Sequence, residues 1–334
     1  MLEPKPKCQS LDARVAELLR RMTLREKIGQ MNQVDPGGAA HDARLQEDVR
    51  AGRIGAILNE ADADAVNELQ RIALEESRLG IPLLVGRDVI HGFKTVLPIP
   101  LGLAATWDPE LVRDGARVAA REAAASGINW TFAPMIDIAR DPRWGRIAES
   151  FGEDPCLCSR LGVASIEGFQ GADLSLPGSV AACAKHFAGY GAVESGRDYA
   201  STNVAENELR NVYLPPFRAA VEAGVGTLMT SFSDIDGVPA TGNDRLLRDI
   251  LRDEWQFDGF VVSDWDSVRQ LAIHGLTEGD AGSALAAVLA GVNMEMAGGS
   301  YLEHLPELVE SGAVDEALVD ELVAGILRIK LRLG

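Results

Sequence analysis

VAACAKHF, residues 180–187, is the run of sequence from which the architecture follows most directly. Its residues are apolar up to two basic ones, Lys185 and His186, and they do not alternate with polar residues. A continuous apolar run of this length is typical of a strand buried on both faces, as in a parallel sheet covered by helices. Seven other short runs share this character: MNQV (31–34), IGAIL (54–58), PLLVG (82–86), WTFAPMI (130–136), GTLMTSF (226–232), FVVSD (260–264) and GVNMEM (291–296).

The segments between these runs predict helices, because apolar residues recur in them at spacings of three and four. The clearest helical segments are residues 64–76, 109–126, 206–223 and 246–255. Pro215 and Pro216 predict a kink or break in the third of these, since proline cannot donate a backbone hydrogen bond. Thr23 and Glu26 match a capping box, which predicts a helix start. Eight strands alternating with helical segments predict an α/β fold, a single-domain (β/α)8 TIM-like barrel.

A doubly wound open sheet is the rival architecture, and it is weakened because no GxGxxG motif follows an early strand. No linker or low-complexity stretch divides the 334 residues. We therefore expect residues 1–22 to form an N-terminal arm and helix, and residues 23–334 to form the barrel.

Composition excludes several classes of protein. Hydrophobic residues make up 46% of the chain and charged residues 25%, which is ordinary for a globular protein with a sizeable core. The formal net charge is −18. Such an acidic surface repels phosphate backbones and anionic lipid, so we expect no nucleic-acid partner and no membrane partner.

The sequence also bears on localisation and on metals. No apolar run reaches the ~18 residues of a membrane-spanning helix, and MLEPKPKCQS at the N-terminus lacks the apolar segment of a signal peptide. The four cysteines show no zinc-type spacing and are interpreted as reduced thiols: Cys8, Cys156, Cys158 and Cys183. We predict a cytoplasmic protein with no metal and no cofactor, or a periplasmic or secreted one if a signal peptide has been removed.

In a barrel of this kind the chemistry lies where strands end and the loops to the helices begin. Three of these loops are long, residues 89–107, 138–153 and 188–205, as expected of loops that build a substrate cleft. Polar residues stand at most strand ends: Asn59, Asp88, Asp137, Lys185 with His186, Ser231, Asp264 and Glu295.

Asp264 ends the seventh run, in GFVVSDWDS. A carboxylate at the rim of the core can attack the anomeric carbon of a sugar or accept a proton, and its surroundings can tune its pKa. It can also simply cap the helix that follows, because aspartate is a favoured N-cap residue. Asp266 lies nearer the helical pattern and is the better cap, which favours a functional Asp264.

Lys185 and His186 allow three interpretations. A desolvated lysine can be a Schiff-base nucleophile. Alternatively, both side chains donate hydrogen bonds to hydroxyl groups, or they are a paired lysine and a core histidine. Adjacent strand residues point in opposite directions. Both side chains can therefore face a ligand only if the strand ends there and the chain turns at AGYG, residues 188–191.

Asp88, in VGRDVIHG, is either a loop cap or a bidentate acceptor for two sugar hydroxyls. Three arginines occur in RDPRWGR (140–146), and at least one should fasten the loop by pairing with Asp141, Glu149 or Glu153. Trp144 and Trp265 are either stacking platforms for sugar rings or large residues of the core.

Five segments of the chain resemble the barrel domain of glycoside hydrolase family 3, of the β-glucosidase type. The resemblance runs from about Leu11 to Gly334, and the loop AGYGAVESG is most similar to the bacterial broad-specificity branch. The matching segments are GRDVIHG (86–92), PIPLGLAATWD (98–108), FAPMIDIARDPRWGRIAESFGEDP (132–155), AKHFAGYGAVESGRDY (184–199) and GFVVSDW (259–265).

The resemblance implies retaining hydrolysis of a terminal β-linked sugar. It assigns the nucleophile to the aspartate of SDW, here Asp264. It assigns the hydroxyl groups of the terminal sugar to four residues: Asp88, Arg146, Lys185 and His186. It also places Trp265 at the border of the site, with Met229 and Ser231 at the end of the sixth strand.

The resemblance leaves the general acid open. In this branch a second α/β sandwich domain supplies it, and we expect that domain to be absent, because the sequence given stops at ILRIKLRLG. A single-domain N-acetylglucosaminidase branch uses a histidine in the loop after strand five, where this chain has none beyond His186. Glu194 and Asp198 of that loop are the remaining candidates for the acid.

Our leading hypothesis is a retaining β-glycosidase whose partners are a β-glycoside or oligosaccharide and a C-terminal domain that is separate or has been removed. One rival is a sugar-binding barrel without turnover, because it lacks the acid. The other is a Schiff-base aldolase that uses Lys185.

Overall fold

The computed structural model describes residues 10–38 and 41–334, and in them the predicted (β/α)8 barrel is present. Eight parallel strands form one sheet in the order β10-β1-β2-β3-β4-β5-β6-β9, and a parallel bridge between Val262 and Met294 joins its two ends. The barrel strands are β1 (Asn32–Val34), β2 (Ala56–Leu58), β3 (Leu84–Arg87), β4 (Trp130–Thr131), β5 (Ala181–Phe187), β6 (Thr227–Thr230), β9 (Phe260–Val262) and β10 (Glu295–Met296). A two-stranded hairpin of β7 (Asp234–Ile235) and β8 (Val238–Pro239), which the sequence pattern did not predict, follows β6.

Helices surround the sheet. They are α1 (Leu11–Arg21), α2 (Leu24–Gln30), α3 (Ala43–Arg50), α4 (Ala63–Arg71), α5 (Pro100–Ala104), α6 (Pro109–Ala124), α7 (Pro155–Gln170), α8 (Glu206–Glu208), α9 (Pro215–Glu222), α10 (Gln270–Ile273), α11 (Gly279–Ala290), α12 (Ser300–Glu310) and α13 (Glu316–Arg332). Segments with π-type hydrogen bonding are Ile72–Glu76, Leu209–Tyr213 and Arg245–Glu254, and short 3-10 helices are Gly145–Glu149, Tyr190–Ala192, Glu194–Gly196 and Ala240–Gly242.

Local signals position several helix starts. The Thr23 side chain accepts from the Glu26 backbone N–H, and the Glu26 carboxylate accepts from the Thr23 N–H, so the capping box at the start of α2 is complete. The predicted interruption of residues 206–223 is also present, because α9 begins afresh at Pro215.

None of the helices in the described part of the chain has the length and apolar character needed to cross a lipid bilayer.

All eight strands are shorter than the predicted runs, β4 and β10 by the most. β4 ends at Thr131 rather than at residue 136, with only a single further bridge at Met135; Pro134 has no N–H to offer the ladder. β10 begins at Glu295 rather than at residue 291, because Gly291 adopts a left-handed conformation (φ 104°) that ends α11.

The barrel interior is filled by side chains. The Trp130 indole N–H donates to Thr227 Oγ1 at 2.9 Å, across the barrel from β4 to β6. Phe132 and Phe260 pack edge-on against the same indole, with ring centroids 4.9 and 5.1 Å away. The barrel is therefore a packed core, and a ligand site must lie at one of its ends.

A buried lysine closes the N-terminal end of the barrel. The Lys330 ammonium of α13 donates to Gln30 Oε1 at 2.6 Å, to the Gly55 carbonyl at 2.7 Å and to the Pro82 carbonyl at 2.8 Å. These acceptors lie just before β1, β2 and β3, so the last helix is tied to the start of the sheet.

Candidate active site

The carboxyl ends of β3, β5 and β9 bring Asp88, Lys185, His186 and Asp264 together. β5 ends at Phe187, after which the chain turns into the 3-10 helix Tyr190–Ala192. The turn expected after the lysine and histidine is therefore present, and both side chains reach the same cluster. The peptide bond between Lys185 and His186 is cis.

Asp264 is a buried carboxylate of this cluster. It is 7% exposed, and its Oδ1 accepts the Trp265 N–H at 2.6 Å. Its Oδ2 is buried without a hydrogen-bond partner and lies 3.5 Å from His186 Nε2. Burial raises the pKa of Asp264 to about 6, although the positive charges of Lys185 and Arg146 oppose the shift. The N-cap residue of α10 is Arg269, and no side chain caps this helix, so the expectation that Asp266 caps it is wrong.

His186 is fully enclosed and neutral. Its Nδ1–H donates to Asp137 Oδ2 at 2.8 Å, and its Nε2 lies 3.2 Å from Arg146 Nη2. Because a guanidinium can only donate, Nε2 must be the acceptor, which leaves the proton on Nδ1. Burial and the neighbouring positive charges of Arg146 and Lys185 lower the pKa of His186 well below its ordinary value.

Lys185 is paired with Asp88. Its ammonium donates to Asp88 Oδ1 at 2.5 Å; the lysine side chain is 5% exposed and that of Asp88 52%. Burial alone would lower the pKa of Lys185, but the charges of Asp88 and Glu149 hold it above its ordinary value. A Schiff-base nucleophile needs a neutral amine, so this ion pair does not support the aldolase hypothesis.

Arg146 is the arginine of RDPRWGR that enters the cluster. Its Nε and Nη2 donate to the two Glu149 carboxylate oxygens at 2.8 and 3.2 Å, and its guanidinium lies over the Tyr190 ring, 5.5 Å from the centroid. Arg143 pairs with Asp141 on the surface, as expected for an arginine that fastens the loop.

The other predicted site residues have varied surroundings. Trp265 follows Asp264 directly and is 44% exposed. Met229 and Ser231 are buried, and the Ser231 hydroxyl lies 2.8 Å from that of Ser233. Trp144 is fully buried, so this indole is a core residue rather than an exposed stacking platform.

Neither loop carboxylate proposed as the acid is in contact with Asp264. Asp198 Oδ1 accepts the Tyr190 hydroxyl at 2.5 Å and the Trp144 indole N–H at 3.0 Å, which fastens two long loops to each other. Glu194 accepts from the Asn203 side-chain amide at 2.5 Å. Their predicted role as the acid stays a prediction.

Asp137 follows a predicted strand, and its sequence position alone predicted no role for it. It holds both the imidazole and the backbone N–H of His186, across the β4–β5 boundary. The available signal was its place at the end of an apolar run. Residues 10–38 and 41–334 contain no group of three or more histidine, cysteine or acidic residues able to hold a metal ion. Cys156, Cys158 and Cys183 are free thiols, and Cys8 lies outside the described residues.

Comparison with known proteins places this geometry in a family. The periplasmic β-glucosidase of Salmonella typhimurium is 40% identical over 326 residues, covering 98% of this chain and 43% of the relative. A β-xylosidase of Formosa agariphila is 38% identical over 347 residues, covering 98% and 43%. The chain thus spans less than half the length of these curated relatives.

The fold is also similar to that of solved structures. The crystal structure of a β-glucosidase from Listeria innocua in complex with glucose superposes with a TM-score of 0.91 at 42% sequence identity, covering 96% of this chain and 47% of that one. Residues 23–329 match the glycosyl hydrolase family 3 N-terminal domain. The chain therefore belongs to glycosyl hydrolase family 3, through the N-terminal domain of that family.

Proposed function

We propose that this chain is the barrel of a retaining β-glycosidase that releases terminal β-D-glucosyl or related β-glycosyl residues, with Asp264 as the nucleophile. The observation that carries the proposal is the buried Asp264 Oδ2, which has no hydrogen-bond partner. It stands at the carboxyl end of the barrel beside three basic residues, Lys185, His186 and Arg146.

The arrangement suits attack by a carboxylate. The Trp265 N–H holds Oδ1, which leaves the lone pairs of Oδ2 free. In the first step Oδ2 forms an ester bond to the anomeric carbon while the bond to the leaving oxygen breaks. That oxygen takes up a proton from water or from a loop carboxylate, or leaves as the anion when it is a nitrophenolate. In the second step water attacks the same carbon and the carboxylate leaves, with the water's proton passing to a base. Two inversions give net retention.

The remaining residues supply partners for sugar hydroxyls. Asp88 is half exposed and offers carboxylate oxygens, whereas Lys185 and Arg146 are donors. Neutral His186 brings one ring nitrogen to the cluster. Exposed Trp265 offers an aromatic face, which suits the apolar face of a sugar ring. We keep Met229 and Ser231 as candidates lining the sixth strand end.

The relatives support a glucosyl preference, because the Listeria innocua enzyme is described in complex with glucose. The similarity to the Formosa agariphila β-xylosidase makes a terminal β-xylosyl residue the main alternative substrate. Cytoplasmic localisation stays a prediction, and one relative is a periplasmic enzyme. The domain boundary at residue 23 and the C-terminal partner domain also stay predictions.

The direct test is hydrolysis of 4-nitrophenyl β-D-glucoside by the purified chain, with proton NMR of the first sugar released. We expect nitrophenol and β-glucose as the first product. Glucose binding without nitrophenol would identify a binding barrel instead. Trapping of a carbonyl substrate on Lys185 by borohydride would favour the aldolase.

The pH dependence of this reaction should report Asp264. Because its pKa is raised to about 6 and only the anion is nucleophilic, kcat/KM should fall as the pH falls through about 6, approaching tenfold per pH unit. Initial rates from pH 4 to 8 on the aryl glucoside measure this limb. Circular dichroism at each pH verifies that the barrel is folded. A rate that stays flat down to pH 4.5 in folded protein would contradict a raised nucleophile pKa.

Loss of single hydroxyl partners should have intermediate effects. We expect Asp88→Ala, Arg146→Ala and His186→Ala each to lower kcat/KM by about 5- to 150-fold, because an unpaired buried polar group costs about 1–3 kcal/mol. Steady-state kinetics on the aryl glucoside provide the measurement. Arg143→Ala is the matched control, since that arginine comes from the same loop but is 67% exposed and paired with Asp141. Wild-type kinetics in folded site variants would make these residues structural.

A further inference from the structure

Asp137 is a buried carboxylate beside His186 that the proposed reaction does not use. It is 1% exposed, and its Oδ2 accepts two hydrogen bonds from the same residue: the His186 backbone N–H at 2.9 Å and the Nδ1–H at 2.8 Å. Its Oδ1 is buried without a partner. All hydrogen bonds of the Asp137 carboxylate are therefore made with His186.

We propose that Asp137 is a positioning residue that keeps His186 in the Nδ1–H tautomer and so leaves Asp264 Oδ2 free for attack. The proposal rests on the proposed function, in which Asp264 is the nucleophile. Asp137 would act by preventing a hydrogen bond from His186 to Asp264.

The reason lies in what faces Nε2. Arg146 Nη2 lies 3.2 Å away and can only donate, whereas Asp264 Oδ2 lies 3.5 Å away and, when ionised, can only accept. With the proton on Nδ1, the Nε2 lone pair accepts from Arg146 and has no hydrogen to give to Asp264. The hydrogen bond made by one ring nitrogen decides where the proton lies on the other.

Loss of the Asp137 acceptor would remove that constraint. In the Nε2–H tautomer, the Nε2–H group of His186 would face the N–H groups of Arg146, and two donors cannot form a hydrogen bond. The same Nε2–H would instead donate to Asp264 Oδ2. Arg146 would then lose a partner, and the attacking oxygen would be hydrogen-bonded in the resting state. A hydrogen bond to the carboxylate stabilises the anion and so lowers the pKa of Asp264.

The charged and titratable groups that face Asp264 are few. They are Lys185 and His186 from β5, Arg146 from the loop after β4, and Asp88 from the loop after β3. Asp137→Ala removes a nearby carboxylate as well as the acceptor of the His186 Nδ1–H. Asp137→Asn removes the same carboxylate but keeps an acceptor oxygen, so a shift of the acid limb in Asp137→Ala that is absent in Asp137→Asn would trace to the histidine.

Three measurements test the proposal. Selective 15N labelling of histidine, of which the chain has five, reports tautomers by NMR without any turnover. In the wild-type protein we expect His186 as neutral Nδ1–H. Asp137→Ala should convert it to Nε2–H, lower kcat/KM by about 10- to 100-fold and move the acid limb below pH 6. Asp137→Asn places an amide oxygen where Oδ2 stands and should restore both tautomer and rate.

The cycle with His186→Ala separates positioning from stability. If Asp137 acts through the imidazole, Asp137→Ala should have no further effect on kcat/KM once His186 is alanine. Equal losses in both backgrounds would overturn the proposal. An Nε2–H tautomer in the wild-type protein would overturn it as well, and this measurement needs no variant. Because the NMR result does not depend on hydrolysis, its failure is distinguishable from failure of the proposed reaction.

Discussion

Replacing Asp264 by alanine or asparagine is expected to abolish hydrolysis of aryl β-glucosides, with kcat falling by several orders of magnitude. The covalent intermediate needs an oxygen nucleophile at this point, and the other carboxylates in contact with the cluster are held by basic residues: Asp88 by Lys185, Asp137 by His186 and Glu149 by Arg146. Single-turnover and steady-state rates on 4-nitrophenyl β-D-glucoside provide the measurement.

The fold should survive this change. Burial raises the pKa of Asp264 above its unfolded value, so its ionisation opposes folding, and that penalty grows as the pH rises from about 4 to above 6. Asp264→Asn should therefore unfold at the same or a higher denaturant concentration than the wild type at pH 7. Near-normal activity in a folded variant would remove Asp264 from its role.

Two further experiments locate the nucleophile directly. Azide supplied to Asp264→Gly should restore cleavage of the aryl glucoside and yield a glycosyl azide of inverted configuration, because a small anion can occupy the position of the deleted carboxylate. A fluorinated glycoside that traps the intermediate should label the peptide containing Asp264. Label on any other carboxylate would move the assignment.

Turnover by this chain is expected to depend steeply on the acidity of the leaving group. General acid catalysis contributes about 10²–10⁴-fold, and Glu194 and Asp198 are hydrogen-bonded within and between loops rather than to the cluster. Nitrophenyl glucosides should be cleaved, whereas alkyl glucosides and cellobiose should react slower by about that factor. Comparing kcat/KM across a series of leaving groups measures the gap.

Glu194→Gln and Asp198→Asn accompany this series. If one of these carboxylates protonates the leaving oxygen, its amide variant should lose activity on cellobiose and retain it on nitrophenyl glucosides. Efficient cleavage of cellobiose by the 334-residue chain would contradict the steep dependence and show that an acid is at hand. If neither variant then altered the dependence, the acid would lie in another segment.

Much of the architecture could be predicted because burial leaves a strong pattern. All eight predicted strands occur in their predicted order, and β5 differs from its prediction by one residue. Strand ends were less predictable, since they depend on which backbone donors find a neighbour. β4 is short where Pro134 interrupts the ladder, and β10 is short where Gly291 completes a helix.

Some residues of the site could also be predicted from the sequence, and others could not. Asp88, Lys185, His186 and Asp264 follow apolar runs directly, so a barrel necessarily gathers them at one end. The role of Asp137 depends on a hydrogen bond to a residue 49 positions away, which no local pattern encodes. Trp144 was equally ambiguous, because a tryptophan in a polar loop has the same sequence pattern whether it is exposed or buried.

The lysine at the N-terminal end of the barrel bears on the order in which the chain folds. Lys330 lies 300 residues from Gln30, 275 from Gly55 and 248 from Pro82, and Lys27 of α2 pairs with Glu316 and Asp320 of α13. During synthesis the first three strands emerge long before the helix that supplies their last hydrogen-bond donor. Until then, those three acceptors lack the Lys330 ammonium as a donor. The first third of the barrel can therefore pack against α13 only after almost the whole barrel has emerged from the ribosome.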